Sequence, residues 1–160
     1  MPKEEADSVL DDVNPRAPAI ASASAFVNAP AEAVWDVLTD FTSWPAWNKS
    51  VSKMEMQGDV REGGTFVWTA DGVKIRSTLE RVERPKRIVW SGRTLGIRAI
   101  HVWDFTEKNG GTIVRTAESF EGPVAWLFRG MMRRMLSKAV EQGLAALKSE
   151  AEARQGKAGT

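Results

Sequence analysis

The chain has one histidine, no cysteine and no tyrosine, so few of its side chains can hold or move a proton near neutral pH. His101 stands in "IRAIHVWDF" and Glu118 in "TIVRTAESF". Both runs alternate as strands do, so every second side chain shares a face. In the first, Arg98, Ile100, Val102 and Asp104 fall on one side, and Ala99, His101, Trp103 and Phe105 on the other. The charged side faces water, which turns His101 and Trp103 inward. In the second, Arg115 goes out, while Val114, Thr116, Glu118 and Phe120 go in. Asn109-Gly110 between the runs is a two-residue hairpin signal. It sets Lys108 opposite Gly111, and counting back sets Asp104 opposite Arg115, an opposite-charge pair that supports the register. The same count sets Phe105 opposite Val114, Trp103 opposite Thr116 and His101 opposite Glu118. The single histidine and an inward carboxylate are therefore expected to be neighbours on a concave face.

Two readings of that pair stand. In an apolar cavity it is an acid–base couple, or an anchor for a ligand carbonyl or hydroxyl. It is also what a buried polar pair does to satisfy itself. His101 and Glu118 are the catalytic candidates. One histidine excludes a multi-histidine metal centre, and an all-carboxylate site has no motif here. No cofactor is expected. No serine stands out as the nucleophile of a triad, and the glycine-rich stretches "GGTF" and "NGG" are turns rather than phosphate loops.

Around the pair the chain is rich in aromatics. Phe66, Trp68, Trp90, Trp103 and Phe105 fall on inward strand positions and are expected to line the concave sheet. Phe128, Met131, Met132 and Met135 add an adaptable wall, because methionine fills irregular space. Each of these is also ordinary core material. The segment "DFTSWPAWNKSV" spends Trp44 and Trp47 on a turn-rich connection. They are read as a lid over the open end of the sheet, or as a plug that seals a small core. The expected cavity lining is thus Trp44, Trp47, Phe66, Trp68, Trp90, His101, Trp103, Thr116, Glu118, Phe128, Met131 and Met135.

The elements that must position these residues follow from the rest of the 160-residue chain. The length suits one domain with a real core. Apolar residues make up 42% and charged residues 27%, as in ordinary soluble proteins. Net charge is +1, from 22 basic and 21 acidic residues, which gives no global case for a nucleic-acid partner. The lack of cysteine is compatible with a reducing cytoplasm, and a cytoplasmic location is expected. No apolar run approaches the ~20 residues of a spanning helix, so no stable membrane insertion is expected. "FRGMMRRML" sets Arg129, Arg133 and Arg134 beside methionines. It reads as a solvated helix face, with contact to a lipid surface as the other reading.

Residues 1–18 are acidic and hold three prolines, and they read as a flexible arm. "AIASASAFVNAP" is a first strand, and "PAEAVWDVLTDF" a helix opened by Pro30. A very short helix through Trp47 comes next. Six strand-like runs extend from Val51 to Phe120, separated by Gly-, Pro- and Asp-rich breaks. A long closing helix is expected from Glu121 to Arg154, its apolar stripe running through Val124, Leu127, Phe128, Met131, Met135, Ala139, Leu144 and Leu147. "ARQGKAGT" reads as a frayed tail. The domain is set at 19–153 and the tail at 154–160. The fold class is α+β: seven antiparallel strands curved around a long C-terminal helix, with two short helices after the first strand.

That order, with "NAPAEAVWDVLTDFTSWPAWN", "ERVERPKRIVWSG" and "GGTIVRTAESFEG", resembles the START-like, or SRPBCC, superfamily of helix-grip proteins. The likeness runs from about Ile20 to Ala153 and is nearest to the polyketide cyclase/dehydrase and lipid-transport branch. It implies a cavity between sheet and long helix. It also implies a small hydrophobic ligand, such as a lipid, isoprenoid or polyketide-like molecule, that is bound or carried. Alternatively, the cavity belongs to a cyclase/dehydrase-type enzyme in which His101 and Glu118 transfer protons. The resemblance fixes neither the ligand nor the oligomeric state.

Overall fold

The computed structural model describes residues 11–159. Strand β1 spans Ala19–Val27 and helix α1 Ala31–Thr39; a 3-10 turn, Phe41–Ser43, leads into α2, Trp44–Trp47. Six strands follow: β2 Val51–Gln57, β3 Thr65–Ala70, β4 Val73–Glu83, β5 Arg87–Thr94, β6 Ile97–Lys108 and β7 Gly111–Glu121. The chain closes with α3, Pro123–Leu127, and α4, Arg129–Ala158. The strands form one seven-stranded sheet in the order β1-β7-β6-β5-β4-β3-β2, antiparallel throughout. This is the α+β helix-grip arrangement expected from the sequence.

The meander is written in its turns. Three two-residue hairpins have both central residues at positive φ: Asp71-Gly72, Leu95-Gly96 and Asn109-Gly110. That geometry matches the right-handed twist of the flanking strands. The Asn109-Gly110 turn fixes the β6–β7 ladder as expected: Lys108 faces Gly111, Asp104 faces Arg115, and His101 faces Glu118.

Two apolar clusters hold α4 to the sheet. The larger joins Trp35, Leu38, Phe41 and Trp44 to Phe66, Trp90, Trp103 and Phe105 of the sheet, and to Leu144 and Leu147 of α4. The smaller joins Ala19 and Ala21 of β1 to Met132, Leu136 and Val140. Side chains of α4 are therefore buried at Met132, Leu136, Val140, Leu144, Leu147 and Ala151, which recur at helical spacing. This corrects the stripe expected through Leu127, Phe128, Met131 and Met135, which are exposed. The buried row of α4 begins one residue on from the expected one, at Met132, Leu136 and Val140 rather than Met131, Met135 and Ala139. The closing helix is also two helices, because the backbone at Phe128 leaves the helical region (φ −110, ψ 30) between α3 and α4. The expected tail is helical to Ala158 instead. Arg154 holds it, its Nε donating to Glu150 at 2.8 Å.

Of the expected arm, residues 1–10 lie outside the described residues. Residues 11–18 lie across the convex face of the sheet. Val13 packs on Val89, Ile100 and Val102, which are buried beneath it. The Asn14 N–H donates to Ser119 Oγ at 3.1 Å, and Asp11 pairs with Arg81 at 2.5 Å. The apolar positions of that outer face, Ile100 and Val102, are what the arm covers.

Candidate ligand cavity

The concave face is filled unevenly. The half nearer α1 and α2 is packed solid with aromatic rings. Trp44 stands 5.0 Å from Phe41, 5.5 Å from Trp68 and 5.7 Å from Trp90, centroid to centroid. Its Nε1–H donates to the Leu38 carbonyl at 2.8 Å, and its side chain is only 4% exposed. Trp47 leans on it, with its own Nε1–H on Ser43 Oγ at 3.1 Å. Both tryptophans fix the helix pair to the sheet, and their indole N–H groups are satisfied within that connection. Neither borders open space in the interior.

The other half is hollow. A cavity of about 340 Å³ lies between β3–β7 and the first turns of α4. The sheet explains why. Ser77, Gly92 and Ala99 are cross-strand partners on β4, β5 and β6, and Ala99 is paired with Phe120 on β7. Three small residues in one row leave space that their neighbours do not close. Trp68 and Trp90 form its inner end, and Met132, Leu136 and Ala139 its helical wall. Asp71, Leu95, Val124 and Met135 stand at the rim, which is made by two hairpin turns and the α3–α4 junction.

One polar cluster borders this apolar space. Glu118 lines the cavity, and its Oε2 lies 3.7 Å from His101 Nδ1. The two side chains are 14% and 12% exposed. His101 Nε2 is 2.8 Å from Thr116 Oγ1. Its ring is flanked by Trp90 at 4.9 Å and Trp103 at 5.2 Å. Loss of water drives both groups toward neutrality. It pushes the Glu118 carboxyl up to about 8 and the His101 imidazole down to about 3. At neutral pH the pair is a carboxylic acid beside a neutral imidazole. His101 Nδ1 and Trp103 Nε1 are buried without a hydrogen-bond partner among the described residues.

Of the expected lining residues, Trp68, Trp90, Glu118 and Met135 border the cavity. His101, Trp103 and Thr116 are not among the lining residues and flank Glu118 on the same β6–β7 face. Trp44 and Phe66 belong to the closed aromatic cluster, with Trp47 packed against it. Phe128 and Met131 point to solvent, 48% and 54% exposed; Phe128 stands at the α3–α4 junction and Met131 beside the buried row that starts at Met132. The expected lining misses Ile75, Ile97, Phe120 and Leu136, and above all the small residues Ser77, Gly92, Ala99 and Ala139. Their signal is spatial: it appears only when the strand register lines up Ser77, Gly92 and Ala99.

Residues 18–152 match the family described as polyketide cyclase / dehydrase and lipid transport. No curated relative matches the sequence. Among solved structures, a hypothetical protein from Helicobacter pylori superposes with a TM-score of 0.76 at 16% identity, over 89% of this chain and 97% of that one. A START superfamily protein from Mycobacterium smegmatis gives 0.72 at 15% identity, over 84% and 97%. A di-domain ARO/CYC protein from the steffimycin biosynthetic pathway gives 0.71 at 22% identity, over 87% of this chain and 53% of that one. These likenesses concern the fold.

Proposed function

The chain belongs to the polyketide cyclase/dehydrase and lipid-transport family, and from that premise we propose that it binds or carries a small, neutral, hydrophobic molecule in the cavity between sheet and α4. One observation supports this reading above the others: a largely apolar cavity of about 340 Å³ with one uncharged carboxylic acid on its wall. The volume is at the lower end of the range for small-molecule sites. A protonated Glu118 donates one hydrogen bond and accepts others. It suits an apolar body that ends in a carbonyl or hydroxyl, and it offers nothing to offset the desolvation of an anionic head group.

The test is native mass spectrometry of the protein purified from its own host, followed by titration with the neutral dye 1-aminoanthracene. A bound apolar mass that the dye displaces is expected. A protein that arrives empty and takes up no dye would show that the space is not a binding site.

A second reading, an enzyme of the cyclase/dehydrase type, is supported by the protonation state of the pair. A carboxyl that keeps its proton at neutral pH is a general acid for an enolising or dehydrating carbonyl compound, with neutral His101 behind it to relay the proton. Glu118→Gln separates the two readings. It keeps the shape and a hydrogen-bond donor, so carriage survives; turnover of a poly-β-ketone does not.

A further inference from the structure

The rim of the cavity differs from the rest of the surface. Of the ten large apolar side chains exposed among the described residues, Val73, Leu95 (81%) and Met135 border the cavity, and Trp126, Leu127 (75%), Phe128 and Met131 follow one another on the α3–α4 segment beside it. The β5–β6 turn that carries Leu95 lies against α3; even a methyl group added at Gly96 would stand 3.0 Å from Val124 Cγ2. Exposed large apolar side chains grouped along one short segment and the turn beside it exceed the single exposed side chains of an ordinary surface.

Two features show that this patch is not explained by stability. Leu95 sits at φ 40, where the two sister turns use Asp71 and Asn109. Short polar residues tolerate that region, and leucine is strained there. Its side chain gains almost nothing from burial. Secondly, Pro123 to Val140 holds four basic residues and no acidic one. Arg129 opens α4, whose first turn has no acidic residue, so positive charge faces the positive end of the helix dipole. Arg133 donates to the Pro18 carbonyl at 2.7 Å. Arg129, Arg134 and Lys138 join no ion pair among the described residues. Of the acids around this segment, Asp71 stands on the rim, Glu121 is taken by Asn14 and Arg98, and Glu141 follows one turn after Lys138 on α4.

We propose that this rim is a docking surface for an anionic lipid bilayer, with Leu95, Leu127, Phe128 and Met131 entering the interface and Arg129, Arg134 and Lys138 meeting phosphates. Large apolar side chains interleaved with unpaired cations are what such an interface attracts. An acidic protein would meet the cations and leave Leu127 and Leu95 uncovered. The surface adjoins the cavity mouth at Leu95 and Met135, so docking would hold the opening near the membrane. Reversible attachment of this kind needs no spanning segment; among the described residues no helix is long and apolar enough to cross a membrane. The inference goes beyond the ligand reading, and its test needs no ligand.

The full chain is floated with vesicles of phosphatidylglycerol and phosphatidylcholine in equal parts, and with phosphatidylcholine alone. Recovery with the anionic vesicles, falling with salt, is expected. Leu127→Asp/Phe128→Asp and Arg134→Glu/Lys138→Glu each should weaken it about tenfold or more. All four positions are exposed, and circular dichroism checks the fold. Since the chain has no cysteine, Leu127→Cys carries a single environment-sensitive fluorophore, whose emission should shift to the blue on the vesicles. No recovery with anionic vesicles overturns the proposal. So does a recovery that charge reversal abolishes, on vesicles and on polyglutamate beads alike, while Leu127→Asp/Phe128→Asp leaves it unchanged; the partner would then be an acidic protein. Either result leaves dye binding in the cavity, and the ligand reading with it, to stand or fall separately.

Discussion

His101 Nδ1 lies 3.7 Å from Glu118 Oε2, across neighbouring strands, and yet has no hydrogen-bond partner among the described residues. Two groups that existed only to satisfy each other would be expected to close that gap, since an unmade buried hydrogen bond costs ~1–3 kcal/mol. The opening suits a third participant on the cavity side. A double-mutant cycle with His101→Phe and Glu118→Leu measures what the pair contributes. Coupling under about 0.5 kcal/mol without ligand, growing when 1-aminoanthracene is bound, is expected. Strong coupling in the empty protein, with dye affinity unchanged in every variant, would reduce the pair to a structural role.

The pH dependence of stability follows from the same two groups. Glu118 keeps its proton up to about 8 in the folded chain but releases it near 4.5 when unfolded. Between those values the folded state holds the extra proton, so stability falls as pH rises. His101 acts in the opposite sense lower down. It is neutral in the folded chain to about 3 and protonates near 6.5 when unfolded, so stability rises with pH across that interval. The two slopes oppose each other between about 4.5 and 6.5, and above that range Glu118 acts alone. Glu118→Gln should therefore gain on the parent protein as pH rises from about 4.5 to 8, by on the order of a few kcal/mol in total. Urea midpoints at several pH values check this; parallel curves for parent and variant would mean that Glu118 titrates normally.

The two tryptophans of the α1–β2 connection should behave as core. Trp44→Ala should cost ~3–5 kcal/mol, the range for a buried large aromatic. Trp47 is only half-buried, and its replacement by alanine should cost less. Neither borders the cavity, so 1-aminoanthracene affinity in Trp47→Ala should stay within about threefold of the parent. Trp68→Ala, which opens the cavity's inner end, should change it more. A large affinity change in Trp47→Ala alone would restore the lid reading.

Much of the fold is legible because its cues are local. Asn109-Gly110 sets a turn, alternation assigns faces, and together they give the His101–Glu118 register residue by residue. The cavity itself is not legible in that way. It is made by absent volume at Ser77, Gly92 and Ala99, which lie on three strands and meet only through the ladders. Large aromatics draw attention in a sequence, but Phe66 and Trp44 went to filling space rather than lining it. The phase of α4 is ambiguous because Met131, Met135 and Ala139 repeat at the same spacing as the buried Met132, Leu136 and Val140. Nothing in "WLFRGMM" but Gly130 marks a break, and the helix breaks two residues earlier, at Phe128. The docking of residues 11–18 depends on long-range partners, Val89, Ile100 and Ser119, which composition cannot reveal.

That docking carries its own prediction. Deleting residues 1–18 uncovers Val89, Ile100 and Val102 and removes the Asn14–Ser119 hydrogen bond. The melting midpoint should fall by about 5 °C or more, which for a domain of this size is roughly 1–2 kcal/mol. Val13→Asp alone should reproduce a good part of the loss, because it places a charge on the same apolar patch. Deleting residues 1–10 alone keeps these contacts and is the comparison. Identical midpoints for the parent and the deletion of residues 1–18 would mean that the segment rests on the sheet without stabilising it.

The cavity can be tested by filling it. Ala99 faces the hollow from the β6 end of its small-residue row, so Ala99→Leu adds methyl groups to empty space rather than to packed core. In a filled core such a change costs ~1–3 kcal/mol from overpacking. Here it should be neutral or slightly stabilising, since added apolar contacts inside a void are favourable. Binding should move the other way: the side chain occupies the space an apolar ligand needs, and 1-aminoanthracene affinity should drop about tenfold or more. Ile100→Leu, on the opposite face of the same strand, leaves the cavity untouched and controls for general effects of substitution in β6. The two measurements together are decisive. Stability kept with binding lost identifies the hollow as the binding site, whereas stability lost with binding unchanged would show that the hollow closes in solution and the dye sits elsewhere.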